Sequence, residues 1–231
     1  MEHPPRDTVP RAQRTRGEVT SPRWRPLTEG GAIILPLLVA GIVAARLLPP
    51  AAPVALLAAA GIALAFRDPD RAVEPQPGVA LAPGDGRVIH LGQVHDDYWK
   101  TDLTEIVIFL SLLDVHVQRA PLDGLIVAQR RRTGGYRPAM SSAATHGNNQ
   151  LATYLQTEVG PCTVTQISGL VARRIVMWCG EGDRLAQSQR MGMIKFSSQV
   201  TLRVPLAATV LVQVGDHVRA GVTPVARLTP A

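Results

Sequence analysis

Pro83-Gly-Asp-Gly-Arg-Val88 and, near the C-terminus, Val214-Gly-Asp-His-Val-Arg-Ala-Gly221 are two versions of one phrase. In each, a Gly-Asp pair leads within a few residues to a valine, the pattern of a tight turn between two strands. Short apolar or alternating runs lie around and between these turns, at 79–81, 88–91, 105–110, 115–117, 162–167, 171–178, 198–204 and 209–214. Gly, Pro and Asp separate them, as expected of strands. Helical periodicity is weak here, apart from a short helix predicted around 149–157. From residue 78 onward the chain reads as mainly β, within an α+β whole.

The paired turns are those of a lipoyl-type barrel half. A lipoyl or biotinyl carrier needs a lysine on its exposed hairpin, and neither turn has one. The N-terminal third differs. Residues 1–29 are polar, carry Arg6, Arg11, Arg14, Arg16, Arg23 and Arg25, and read as a disordered basic tail without a secretory signal. Residues 30–45 carry no charge, Arg46 interrupts, and 47–66 are uncharged again, with Pro49, Pro50 and Pro53 near the front. A 16-residue helix reaches only about 24 Å, against a hydrocarbon core of roughly 30 Å. This pair therefore predicts an apolar helical hairpin over 30–66 that enters a membrane and returns. The arginines on both flanks place it on the cytoplasmic face. The competing reading is a buried hairpin in a soluble core, for which little chain remains.

The net charge of +6 and pI near 10.1 point to acidic partners, either nucleic acid or anionic lipid. Aromatics at 4% disfavour a stacking platform for single strands, and the apolar hairpin favours lipid over nucleic acid. Cys162 and Cys179 form no CxxC, disulfide framework or zinc pattern, so no metal is expected. A reducing compartment is the simpler reading, with a single disulfide as the alternative. The only lysines are Lys100 and Lys195, neither in a phosphate-binding context, which argues against pyridoxal phosphate.

Five segments carry groups able to do chemistry: Phe66-Arg-Asp-Pro-Asp-Arg71, Ala82-Pro-Gly-Asp-Gly-Arg-Val88, Asp114-Val-His-Val-Gln-Arg-Ala-Pro-Leu-Asp-Gly124, Gln166-Ile-Ser-Gly-Leu-Val-Ala-Arg-Arg-Ile175 and Ile194-Lys-Phe-Ser-Ser-Gln199. Each alone has a plain structural reading. Asp85 suits a turn, His116 on a strand suits a satisfied core group, Ser197-Ser198 a polar strand start, and Arg173-Arg174 a solvated pair or phosphate clamp.

Taken in order, these segments resemble the short form of the phosphatidylserine decarboxylase family, from about Gly30 to Leu228 and including the apolar hairpin. The resemblance implies a proenzyme that cuts itself between Ser197 and Ser198, giving a β chain of residues 1–197 and an α chain of 198–231. In that chemistry the Ser198 hydroxyl attacks the Ser197 carbonyl, and the resulting ester eliminates to dehydroalanine. Hydrolysis then leaves a pyruvoyl group at 198 and releases ammonia. The ketone takes up the amine of a serine-headed phospholipid and draws the electron pair left when carbon dioxide departs. The resemblance places the family's aspartate on Asp85 and its histidine on His116, with base and base-orienting roles. It implies phospholipid biosynthesis at an anionic membrane by a heterodimer of the two self-cleaved chains.

Three departures stand out. Longer members have two histidines spaced three apart where this chain has His116 and Arg119. Either His116 serves both processing and decarboxylation, or Arg119 positions the substrate's carboxylate or phosphate, with Arg173 and Arg174 as further substrate-binding candidates. Ser197 replaces the usual glycine before the reactive serine, which removes backbone freedom at the cut. Asn148-Asn149-Gln150 replaces the common Asn-Glu-Arg. The alternative function is a non-catalytic, lipid-surface-binding relative that has lost self-processing; nucleic-acid binding rests on charge alone.

Overall fold

The computed structural model describes residues 25–47, 52–71, 74–169, 174–195 and 198–228. Helices α1 (Arg25–Leu47) and α2 (Ala52–Ala65) come first, followed by strands β1 (Val79–Leu81), β2 (Gly86–Asp96), β3 (Thr101–Leu110), β4 (Val117–Arg119) and β5 (Gly124–Arg132). After helix α3 (Ser142–Gly147) come β6 (Gln150–Thr157), β7 (Gly160–Ser168), β8 (Ile175–Met177), β9 (Arg184–Leu185) and β10 (Arg190–Ile194). The chain ends with β11 (Ser198–Pro205), β12 (Thr209–Val210), β13 (His217–Val218) and β14 (Pro224–Arg227).

Eight strands in the order β13-β2-β3-β11-β7-β6-β5-β9 make one antiparallel sheet that curls into a half-barrel. Two three-stranded sheets, β1-β14-β12 and β4-β10-β8, complete the β structure among the described residues. The core lies between these layers. Ile106, Ile108, Val200, Leu202, Val164 and Leu155 contribute from the large sheet, while Ala80, Val225, Ala226 and Met191 contribute from the small ones. The two Gly-Asp turns lie side by side. Val88 donates its N–H to the Asp216 carbonyl, Gly215 donates to that of Val88, and β13 pairs with β2 through His217↔Arg87 and Val218↔Gly86. Gly86 has φ of 147° and sits so close to Phe109 that a Cβ would lie 2.0 Å from its carbonyl oxygen; no side chain fits there.

The mainly β expectation agrees with this architecture, and several boundaries shift. The predicted helix at 149–157 is strand β6, bonded to β5 and β7 along its length. Leu151, Tyr154 and Leu155 carry helical spacing, but two-sided pairing overrides it. Strand β5 had no sequence signal because it ends in Gln129-Arg-Arg-Arg132 and slips register between Ile126 and Ala128. Residues 171–173 of one predicted strand lie outside the described residues, as do 1–24 of the predicted tail. Residues 25–29, also assigned to the tail, form the first turn of α1, where Pro26 loses no hydrogen bond. Pro36 lies inside α1. Among the described residues no helix is long and apolar enough to cross a membrane.

The Phe66–Arg71 segment fastens the helices to the β structure. Phe66 is buried against Gly30 of α1, whose absent Cβ would lie 2.6 Å from the ring. Arg67 donates to the carbonyls of Leu64 and Leu113. Asp68 sits between two arginines: it accepts from Arg119 at 2.8 Å and from Arg190, and its side chain is 3% exposed. Removing one member of a buried ion pair leaves the other charges uncompensated. Asp68→Ala is therefore expected to destabilise the protein by about 3–5 kcal/mol, read as a lowered midpoint in chemical denaturation.

Candidate active site

Strand β11 carries Ser198 as its first residue and runs in the middle of the large sheet. Ser198 stands opposite Leu110 of β3 on one side and Ser168 of β7 on the other. Directly opposed antiparallel residues share a face, so Ser198, Leu110 and Ser168 project together, and alternation adds Val200. The turn at Gly84 closes over this face, since a Cβ there would lie 2.6 Å from Val200 Cγ1 and 3.5 Å from Leu110 Cδ1. Ser198 is fully buried, and among the described residues its hydroxyl has no hydrogen-bond partner. A buried hydroxyl in that condition costs roughly 1–3 kcal/mol. Ser168 differs: its hydroxyl donates to the Asn149 carbonyl at 3.1 Å.

His116 immediately precedes β4 and is 1% exposed. Its carbonyl accepts from Ile194 N–H, so it is registered against the strand that leads into the serine segment. Asp85 lies in the Gly84–Gly86 turn and pairs with Arg71. Its two oxygens accept from Arg71 Nη1 and Nη2 at 2.6 and 2.7 Å, and one also accepts the Ala220 N–H at 2.7 Å. This binds the two Gly-Asp turns and the Phe66–Arg71 segment to one another.

The arginine candidates separate. Arg119 is committed inside the protein, donating to Asp68, to the Ser188 carbonyl at 3.1 Å and to the Pro69 carbonyl at 3.3 Å. Burial lowers its pKa, with Asp68 acting in the opposite sense. Arg174 is exposed, and its carbonyl accepts the Lys195 N–H. Arg173 and Ser197 lie outside the described residues. Asn149 Oδ1 accepts the Gly134 N–H at 2.7 Å, while Asn148 donates to the Arg137 and Ser168 carbonyls.

Sequence reasoning passed over several residues that hold the site. Gln199 is fully buried. It accepts from the Thr145 hydroxyl at 2.9 Å and donates to the Ala139 carbonyl at 2.5 Å, anchoring the 139–145 segment beside the serine. Lys195 pairs with Glu29 at 2.9 Å and donates to its carbonyl at 2.7 Å, tying α1 to a point three residues before Ser198. These pairs join residues far apart in sequence, and no local pattern announces them. Among the described residues no group of three or more His, Cys, Asp or Glu could hold a metal ion.

The model of the phosphatidylserine decarboxylase family matches residues 59–226. A phosphatidylserine decarboxylase proenzyme from Burkholderia multivorans is 37% identical over 164 residues, covering 71% of this chain and 77% of its own. One from Streptomyces griseus is 38% identical over 169 residues, covering 73% and 75%. A protein from Methanopyrus kandleri, provisionally named as an archaetidylserine decarboxylase proenzyme, is 40% identical over 179 residues, covering 74% and 83%. The chain is thus of the carboxy-lyase class. It belongs to the phosphatidylserine decarboxylase family.

Cys162 and Cys179 are both free and buried, and burial pushes each thiol up to about 12. Neither supplies a thiolate near neutrality. Both are expected to resist a thiol-reactive chromophore in the native protein at pH 8 and to react once it is denatured.

Proposed function

We propose that the chain is a self-processing pyruvoyl enzyme that decarboxylates phosphatidylserine to phosphatidylethanolamine, with Ser198 as the precursor of its cofactor. The observation that carries the reading is the fully buried Ser198 hydroxyl, without a partner among the described residues, at the head of a central strand. A ketone at this position removes a donor that the surroundings leave unmatched. Leu110 and Val200 beside it keep the position dry, and β3 and β7 hold it from both sides. When formed, the pyruvoyl group supplies an electrophilic carbonyl that takes up the substrate amine and accepts the electron pair of the breaking bond.

The chain's own residues do the rest. His116 is the base that activates the Ser198 hydroxyl for attack on the Ser197 carbonyl, and it later manages the proton at the substrate carbon. Asp85 orients the site through its turn: with Arg71 and the Ala220 N–H it holds Gly84 down on Val200 and Leu110. The products are a β chain of 1–197 and an α chain of 198–231, which remain together as a heterodimer. Residues 67–231 form the catalytic unit, with the paired Gly-Asp turns as lipoyl-like barrel-half elements. The 30–66 region, behind the basic tail of 1–29, is the membrane-associating hairpin. Leu35, Val39, Ile42, Val43, Val54 and Leu57 are exposed along it and suit an apolar lipid interior. Arginines on its flanks suit the anionic cytoplasmic face, and Arg174, exposed near Lys195, is the arginine best placed to meet lipid phosphate.

Two substitutions test the assignment in detergent–lipid micelles containing phosphatidylserine. Ser198→Ala is expected to abolish phosphatidylethanolamine formation. His116→Ala is expected to lower it by at least about 100-fold, the scale of a lost general base. Turnover by Ser198→Ala at the parent rate would contradict the proposal.

A further inference from the structure

Gln118 and Gln166 form a buried pair across two sheets. Gln166 belongs to β7 and stands opposite Val200, on the face that also carries Ser168 and Ser198. Gln118 belongs to β4, two residues after His116, and is registered against Gly192 of β10. Gln166 Nε2 donates to Gln118 Oε1 at 2.9 Å, and the residues are 2% and 0% exposed respectively. This single bond leaves Gln118 Nε2 and Gln166 Oε1 buried without partners among the described residues. Reversing both amides exchanges the roles and still leaves one donor and one acceptor unmatched.

Two unmatched amide atoms in a packed interior are expensive, and two apolar side chains would bridge the sheets at lower cost. Their position gives them a use. The pair lies on the Ser198 face and on the strand that follows His116, so a head group joined at position 198 lies within its reach. We propose that Gln118 and Gln166 position the serine head group of the substrate, the spare N–H donor holding the carboxylate that departs and the spare acceptor taking the amine N–H. This rests on the reading of the site given above and adds residues to it.

A neutral donor suits this step better than a cation. In decarboxylation the bond from Cα to the carboxylate carbon breaks and carbon dioxide leaves. The bonding pair passes to the electron sink at position 198, and a proton is then delivered to Cα. The carboxylate loses its charge along the way. A guanidinium would bind the ground state more tightly than the transition state, because charge-assisted bonds to an anion are about twice as strong as neutral ones. An amide donor orients the breaking bond with less of that penalty. The nearest comparable cation along β4, Arg119, is turned away and committed to Asp68.

The test uses the full chain with two variants. Gln118→Met/Gln166→Met replaces both partners with apolar groups of similar length, which preserves packing. Gln118→Glu keeps a bond to Gln166, deletes the spare donor and places a negative charge near the carboxylate. Denaturing mass measurement reads cleavage, and steady-state kinetics read turnover of phosphatidylserine. Cyanoborohydride trapping of phosphatidylserine and of phosphatidylethanolamine reads head-group discrimination by adduct mass. Both variants are expected to cleave like the parent and to trap phosphatidylethanolamine like the parent. Their kcat on phosphatidylserine is expected to fall about 10–100-fold, with KM changed less than about threefold. Their preference for trapping the serine lipid is expected to disappear. Variants that cleave fully, turn over within threefold of the parent and keep its preference would overturn the proposal. Failure of both variants to cleave would also overturn it, by assigning the pair to folding or processing. An uncleaved, inactive parent would instead count against the pyruvoyl reading itself.

Discussion

Strand β11 is hydrogen-bonded along both edges, to β3 over residues 198–205 and to β7 over 198–203. This two-sided ladder is the constraint on which the rest of the site depends. It fixes Ser198 as the first residue of a central strand and sets which neighbours share its face. In a self-cleaving chain it also answers where the small fragment goes, because a cut ahead of residue 198 leaves every ladder bond of β11 in place. Val200, Leu202 and Val204 add buried apolar contact along the same strand.

Around that strand, buried charge pairs hold the connecting segments in register. Asp68 gathers Arg119 and Arg190, and Asp85 gathers Arg71 and the Ala220 N–H. Pairs of this kind contribute little net stability over an apolar substitute, but they are intolerant of losing one partner. Their effect here is geometric. They bring the segment after α2, the Gly-Asp turns and β4 together at the edge of the Ser198 face. Lys195 and Glu29 add a link from α1 to the serine segment.

Much of the β structure was legible from alternation and turn chemistry. Strands β1, β2, β3, β7 and β11 all begin or end near Gly, Pro or Asp signals, and the repeated Gly-Asp phrase marks two turns that pair with each other. The parts that escaped have physical reasons. Strand β5 ends in three arginines, and β6 carries apolar residues at helical spacing, so only their partners define them as strands. At the site, residue types and their order single out Ser198, His116 and Asp85 as candidates. The partners could not be read the same way. Asp85 pairs with Arg71, and Arg119 pairs with Asp68. The contacts join residues 14 and 51 positions apart, and sequence alone does not say which charge meets which.

The account rests on the unmatched hydroxyl of Ser198 being a precursor that the protein converts. Mass spectrometry of the purified, denatured 24.7 kDa chain tests this most directly. The account predicts two polypeptides, a larger one ending at Ser197 and a smaller one beginning at 198 with a pyruvoyl terminus that blocks stepwise N-terminal sequencing. A single intact chain, or a cut that leaves an unmodified serine at 198, would contradict it.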